Sequence, residues 1–293
     1  MFLAAKIRIL MKQHQKTKFI LWTKNSQFTG WADHIGLFRF LGFKRGNETG
    51  AARGSTNYTP ITVYDIAELR DAAGDIPVGK HVAKTIQGLA ENLSQQDKGP
   101  VFDLVEYSLR EIVRNAAEHS RGTKIALLGQ CWPAKKMAEI IVMDNGVGIA
   151  ENLYENELLE CETNREALKF AILPGVTGVS LDDRLQQDDH WKNSGFGMFV
   201  TSRFCAENGL FRVVSGADGL SLGGEVQTEH PWSFKGTFVQ MRLSFGDAQR
   251  RLDRIDELTD SGKIAFGELL KDHPIRASTA SKLLASQFLK TPN

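Results

Sequence analysis

The chain has 293 residues, 42% of them apolar, with 36 Lys and Arg against 35 Asp and Glu; it can bury one large or two modest cores. It contains no run of about 18 or more uncharged apolar residues. Met1-Phe-Leu-Ala-Ala meets Lys6 and Arg8 too early for a secretory signal, although the acid-free stretch 1–32 keeps a transit peptide as an alternative.

The three cysteines, Cys131, Cys161 and Cys205, lack Cys-x-x-Cys or zinc spacing, which predicts reduced thiols in a cytoplasmic protein. The net charge of +1 hides a division. Residues 1–60 carry ten Lys and Arg against two acids, and the remainder carries 26 against 33.

Residues 1–60 interleave those cations with Phe19, Trp22, Phe28, Trp31, Phe38, Phe40 and Phe43. Rings among cations suit a single-stranded nucleic acid, whose phosphates meet the charges while its bases stack. The favoured alternative is a small aromatic core with solvated lysines around it. Phe38-Arg-Phe40-Leu-Gly-Phe43 alternates like a half-buried strand or a short amphipathic turn. Residues 46–59, rich in Gly, Asn, Ser and Thr, read as a loop.

Residues 61–96 read as two helices split by Gly74-Asp-Ile-Pro77-Val-Gly79. His81, in the second, has no acid beside it and reads as a surface helix histidine. Gly99-Pro100 then opens a helix whose apolar face is Phe102, Val105, Leu109, Ile112, Val113 and Ala116. Glu111 and Asn115 lie off that face, one turn apart, so a carboxylate and an amide oxygen converge on one small target. A hydrated magnesium ion carrying phosphates is such a target, since it takes oxygen ligands.

Two strand-like runs, Lys124–Gly129 and Ala138–Met143, follow with a turn at Trp132-Pro133; the second ends in Asp144-Asn-Gly146-Val-Gly148-Ile149. A strand closing on a carboxylate and Gly-x-Gly leaves an acceptor at a pocket floor and bare backbone for a flat ligand. Residues 151–166 read as an acidic, solvated helix. Residues 173–193 lose apolar periodicity and read as a functional loop.

Asn193-Ser194-Gly195-Phe196-Gly197-Met198 precedes a predicted helix over 199–207, whose free amides are a ready phosphate site. Strands are predicted at 210–215 and 236–243, the latter opened by Lys235-Gly-Thr237-Phe238. Residues 246–293 read as helices broken at Ser261-Gly262 and His273-Pro274, the last capped by Ser278 or Thr279.

Four of these stretches resemble, in order, the boxes of the GHKL ATPase family of DNA gyrase, heat-shock chaperones, sensor histidine kinases and mismatch-repair proteins. They are the Glu111–Asn115 helix, Asp144-x-Gly-x-Gly, Asn193–Met198 and Lys235–Phe238, spread over about 130 residues. The resemblance implies a Bergerat fold: α+β, a two-layer α/β sandwich whose mixed, mostly antiparallel sheet is covered by helices on one face. It implies a nucleotide-binding domain over 61–245, between a basic aromatic segment 1–60 and a helical tail 246–293.

It also implies ATP and Mg2+ as cofactors, with Glu111 catalytic and Asn115 on the metal. Asp144, Gly146, Gly148, Ile149, Lys192, Asn193, Ser194, Gly195, Phe196, Gly197, Met198 and Thr237 would form the cradle, and residues 173–193 its lid. Asn193 stands where the family commonly has glycine. The implied activity is slow ATP hydrolysis driving a conformational switch. The alternatives are a protein kinase acting on a separate partner, or an ATP-sensing binding module. Expected partners are an unidentified protein or a second copy of the chain, with nucleic acid not favoured and no membrane.

Overall fold

Alternation along the central strands sets the architecture. The computed structural model describes residues 1–24, 26–74, 78–154, 156–157, 159–178, 195–224, 226–269 and 275–276. Its main sheet is built from β1 (Tyr58–Asp65), β2 (Lys124–Trp132), β3 (Met137–Asp144), β5 (Leu210–Gly216), β6 (Asp218–Gly223), β7 (Val226–His230) and β8 (Phe234–Ser244). The strand order is β1-β2-β3-β8-β5-β6-β7, with every neighbour antiparallel. The expected mixed sheet is therefore corrected. The parallel pairing among the described residues is a separate pair, β4 (Leu159–Glu160) with β9 (Ile275–Arg276).

Successive residues of a strand face opposite sides. Ala138, Ile140 and Val142 of β3, and Val239, Met241 and Leu243 of β8, point into one core. Met143 and Phe238 point into another. The first core lies under α4 (Ile66–Ala73), α5 (Val78–Ser94), α6 (Pro100–His119), α8 (Asn164–Ala171) and α9 (Gly197–Asn208). From α6 it takes Leu104, Val105, Leu109, Ile112 and Val113, each worth about 1.5–3 kcal/mol when fully buried. The α+β sandwich is this layer against the sheet.

The second core is an addition to the expected one-sided covering. Helices α1 (Phe2–Gln13), α2 (Gln27–His34) and α3 (Leu37–Leu41) lie on the opposite face of the sheet, with Ala4, Ile35, Phe38 and Phe40 packed on Ile61, Met143, Val214, Phe234 and Phe238. Lys6 anchors α1 by donating to the carbonyl and hydroxyl of Ser233, at 3.0 and 2.8 Å. Phe38 and Phe40 are thus core residues on a short helix rather than a strand, whereas Trp22 and Phe28 remain exposed.

Local chemistry fixes the element ends. Asp65 caps α4 by accepting from the Ala67 amide, and Thr163 with Glu166 forms a reciprocal capping box on α8. Four further expectations are corrected. Residues 61–65 belong to β1, since antiparallel pairing with β2 outweighs local preference. Residues 218–223 and 226–230, for which the sequence predicts no element, form β6 and β7. The acidic run 151–166 is broken into α7 (Ile149–Tyr154), β4 and the start of α8.

The break expected at Ser261-Gly262 does not occur, because α10 (Ala248–Leu269) runs through it. Gly262 instead permits close approach: a Cβ there would meet the Phe196 ring at 2.8 Å and Pro174 at 2.9 Å. His273-Pro274, Ser278 and Thr279 lie outside the described residues. Among those described, no helix is long and apolar enough to cross a membrane.

Candidate functional site

Helix α6 and the ends of β3 and β8 meet around a cavity of about 260 Å³. The β3–β8 register pairs Met143 with Phe238 and so brings Asp144 alongside Thr237. Asp144 Oδ1 accepts from the amides of Gly146, at 2.8 Å, and Thr237, at 3.2 Å. The residue as a whole is buried at the cavity wall. Burial pushes this carboxyl up to about 6, against the opposing pull of the two amides and the Thr237 hydroxyl.

Glycines set the shape of the floor. Gly146 passes so close to Ser120 at the end of α6 that a Cβ would overlap the Ser120 carbonyl oxygen. Gly148 has φ +95°, and a Cβ on it would come within 2.7 Å of Ser215 Oγ. That hydroxyl accepts from the Ile149 amide and donates to the Gly236 carbonyl, both at 2.9 Å, tying the turn after β3 to β5 and β8. Asn145 adds a clamp, its Oδ1 accepting from the amides of Thr123 and Lys124 at 2.9 Å.

Across the cavity, the Glu111 carboxylate is pressed against Gly197, the first residue of α9, where a Cβ would collide with it. Among the described residues no side chain caps α9, and Gly197 and Met198 line the cavity, which sets the first amides and the positive end of the dipole beside it. Arg110 Nε lies 3.5 Å from Glu111 Oε1, and Arg110 Nη1 lies 3.0 Å from Glu106 Oε2. Burial, ahead of the neighbouring Arg110, pushes the Glu106 carboxyl up. Arg114 pairs with Glu118 at 3.0 Å.

Of the residues expected at a site, Glu111, Asn115, Asp144, Ile149, Gly195, Gly197, Met198 and Thr237 all line this one cavity. Gly146 and Gly148 shape its floor from behind without lining it, and the Phe196 ring is turned to Gly262 on α10. Lys192, Asn193 and Ser194 lie outside the described residues, as does the expected lid beyond Gly178.

The cavity also takes Tyr107, Arg110, Arg114, His119 and Asn152, which the sequence reading did not assign. Arg110 and Arg114 carry a legible signal. They lie four apart and so share one face of the helix, next to the face that carries Glu111 and Asn115. Asn152 has no such signal; it donates to the His119 carbonyl at 2.8 Å and holds α7 against the end of α6. No family model matches this chain, and no curated protein matches it.

Proposed function

We propose that the protein binds ATP with magnesium in this cavity and hydrolyses it slowly, using the hydrolysis as a conformational switch. The observation that carries the proposal is the convergence of Glu111, Asn115, Asp144, Thr237 and the start of α9, from four separate parts of the chain, on one opening. The family resemblance of those stretches points to the same ligand.

The residues fit the group on their own geometry. Asp144 offers a fixed acceptor in an apolar wall, which suits the amino group of adenine. A guanine carbonyl there leaves the acceptor unpaired, at a cost of about 1–3 kcal/mol. Gly197 leaves no side chain between Glu111 and the amides of α9, so a phosphate oxygen and the carboxylate can share that end of the cavity. Among the described residues no group of three or more His, Cys, Asp or Glu is placed to hold a metal ion. Asn115 suits magnesium, which keeps most of its shell as water and phosphate oxygen.

Bound magnesium would supply charge neutralisation across the phosphates. Asn115 would hold it, and the amides at the start of α9 would donate to phosphate oxygens. Glu111 would orient water and accept its proton.

The experiment is an ATP titration of the wild type, Glu111→Ala and Asp144→Asn, with phosphate release followed in parallel. Glu111→Ala should bind ATP but release phosphate about 10²–10⁴-fold more slowly, and Asp144→Asn should lose binding. Unchanged affinity in Asp144→Asn would remove the adenine contact.

A further inference from the structure

On the other face of β3 from this cavity lies a second one, also of about 260 Å³, roofed by α1. Its walls are apolar, formed by Ile9, Phe40, Val63, Met143 and Phe234. Its rim is cationic: Arg8 and Lys12 from α1, Lys124 from the start of β2 and Lys235 from the start of β8.

Two of the four cations are engaged. Arg8 donates to the Phe40 carbonyl at 3.0 Å, and Lys124 lies 2.7 Å from Asp65. Lys12 and Lys235 are exposed and make no hydrogen bond or ion pair among the described residues. Of the nearby acids, Asp65 is paired with Lys124, and Asp144, which lines this chamber as well as the first, has its Oδ1 held by the amides of Gly146 and Thr237. Past Ile9 and Lys235 the cavity adjoins an open groove of about 840 Å³, lined by Ile7, Leu10 and Val147 with Lys6 and Arg121 at its edge.

An apolar chamber with two uncommitted cations at its mouth recognises a molecule with one oily end and one negative end. Apolar burial supplies most of the affinity, and the charges set its orientation. A polynucleotide does not match, because the two rings in the walls, Phe40 and Phe234, are buried rather than open for stacking. We infer that this chamber binds an amphipathic anion, a medium-length acyl chain with a carboxylate or phosphate-monoester head held between Lys12 and Lys235. The inference does not rest on the nucleotide reading.

The test is calorimetric titration of the full chain with decanoate and with decyl phosphate, alongside decanol and inorganic phosphate. The wild type should take one equivalent of at least one of the two anions, and whichever binds more tightly identifies the head group. The variant carrying both Lys12→Gln and Lys235→Gln should bind at least tenfold more weakly while keeping the wild-type circular dichroism; both positions are exposed, so its fold is not at risk. Val63→Phe, which fills the chamber from an edge strand, should weaken binding as well.

Decanol binding as tightly as the anions would overturn the role of the cations. Inorganic phosphate binding as tightly would overturn the role of the chamber. No binding of either anion, multiple equivalents, or a double variant with unchanged affinity would each overturn the inference.

Discussion

Asp144→Asn isolates the cost of a buried charge. Asp144 is 6% exposed, and its carboxyl is raised from 3.8 to about 6 mainly by burial. Below pH 3.8 both folded and unfolded chains hold the proton. Between the two values the unfolded chain has released it and the folded chain has not, so each pH unit lowers folded stability by about 1.4 kcal/mol. Above about 6 both are ionised, and the whole loss, about 3 kcal/mol, is complete.

Asparagine keeps an oxygen for the Gly146 and Thr237 amides and carries no charge at any pH. The stability of the wild type relative to Asp144→Asn should therefore fall by about 2 kcal/mol between pH 4.5 and pH 7.5, measured by urea unfolding of both proteins. Parallel curves for the two across that range would refute the buried-carboxylate argument. On the proposed function, an adenine amino group prefers the ionised form, so ATP affinity should climb as pH rises to about 6 and level off above it.

Three further outcomes follow from packing. Leu109 is fully buried on α6, and Leu109→Ala should cost about 2–5 kcal/mol in urea unfolding. In Gly146→Ala the new methyl overlaps the Ser120 carbonyl, so stability should drop by about 1–3 kcal/mol and ATP affinity should drop with it. Arg251 is buried, donating to the Ser244 carbonyl at 2.7 Å and lying 3.5 Å from Glu207. Glu207→Ala should cost about 1–3 kcal/mol, readable as a lower thermal midpoint, while Glu207→Gln should recover part of it.

Helix α6 and strand β3 are legible in the sequence because each repeats its apolar period over many residues against one large core. Glu111 and Asn115 are legible for the same reason, since the register that buries Leu109 and Ile112 turns them outward. Strand β1 is not, because Pro60 and a run of Thr and Tyr carry no clear period and its pairing with β2 is decided from outside. Gly262 reads locally as a helix breaker, yet it answers to Phe196, sixty-six residues earlier. The same limit hides why residue 197 is glycine: the group it makes room for is Glu111, on another helix.

The order in which a ribosome delivers this chain bears on the layer formed by α1, α2 and α3. Ala4, Ile35, Phe38 and Phe40 find their partners on Met143, Val214, Phe234 and Phe238, and the last of these strands ends at Ser244. About 200 residues separate that point from Phe43, so at ~5–20 residues per second the first segment waits roughly 10–40 s for the surface it covers. During that interval its oily side chains have no native place to go. Docking of the leading helices is then the closing event of folding, and a nascent chain stalled before residue 234 should carry them protease-sensitive and bound to chaperones.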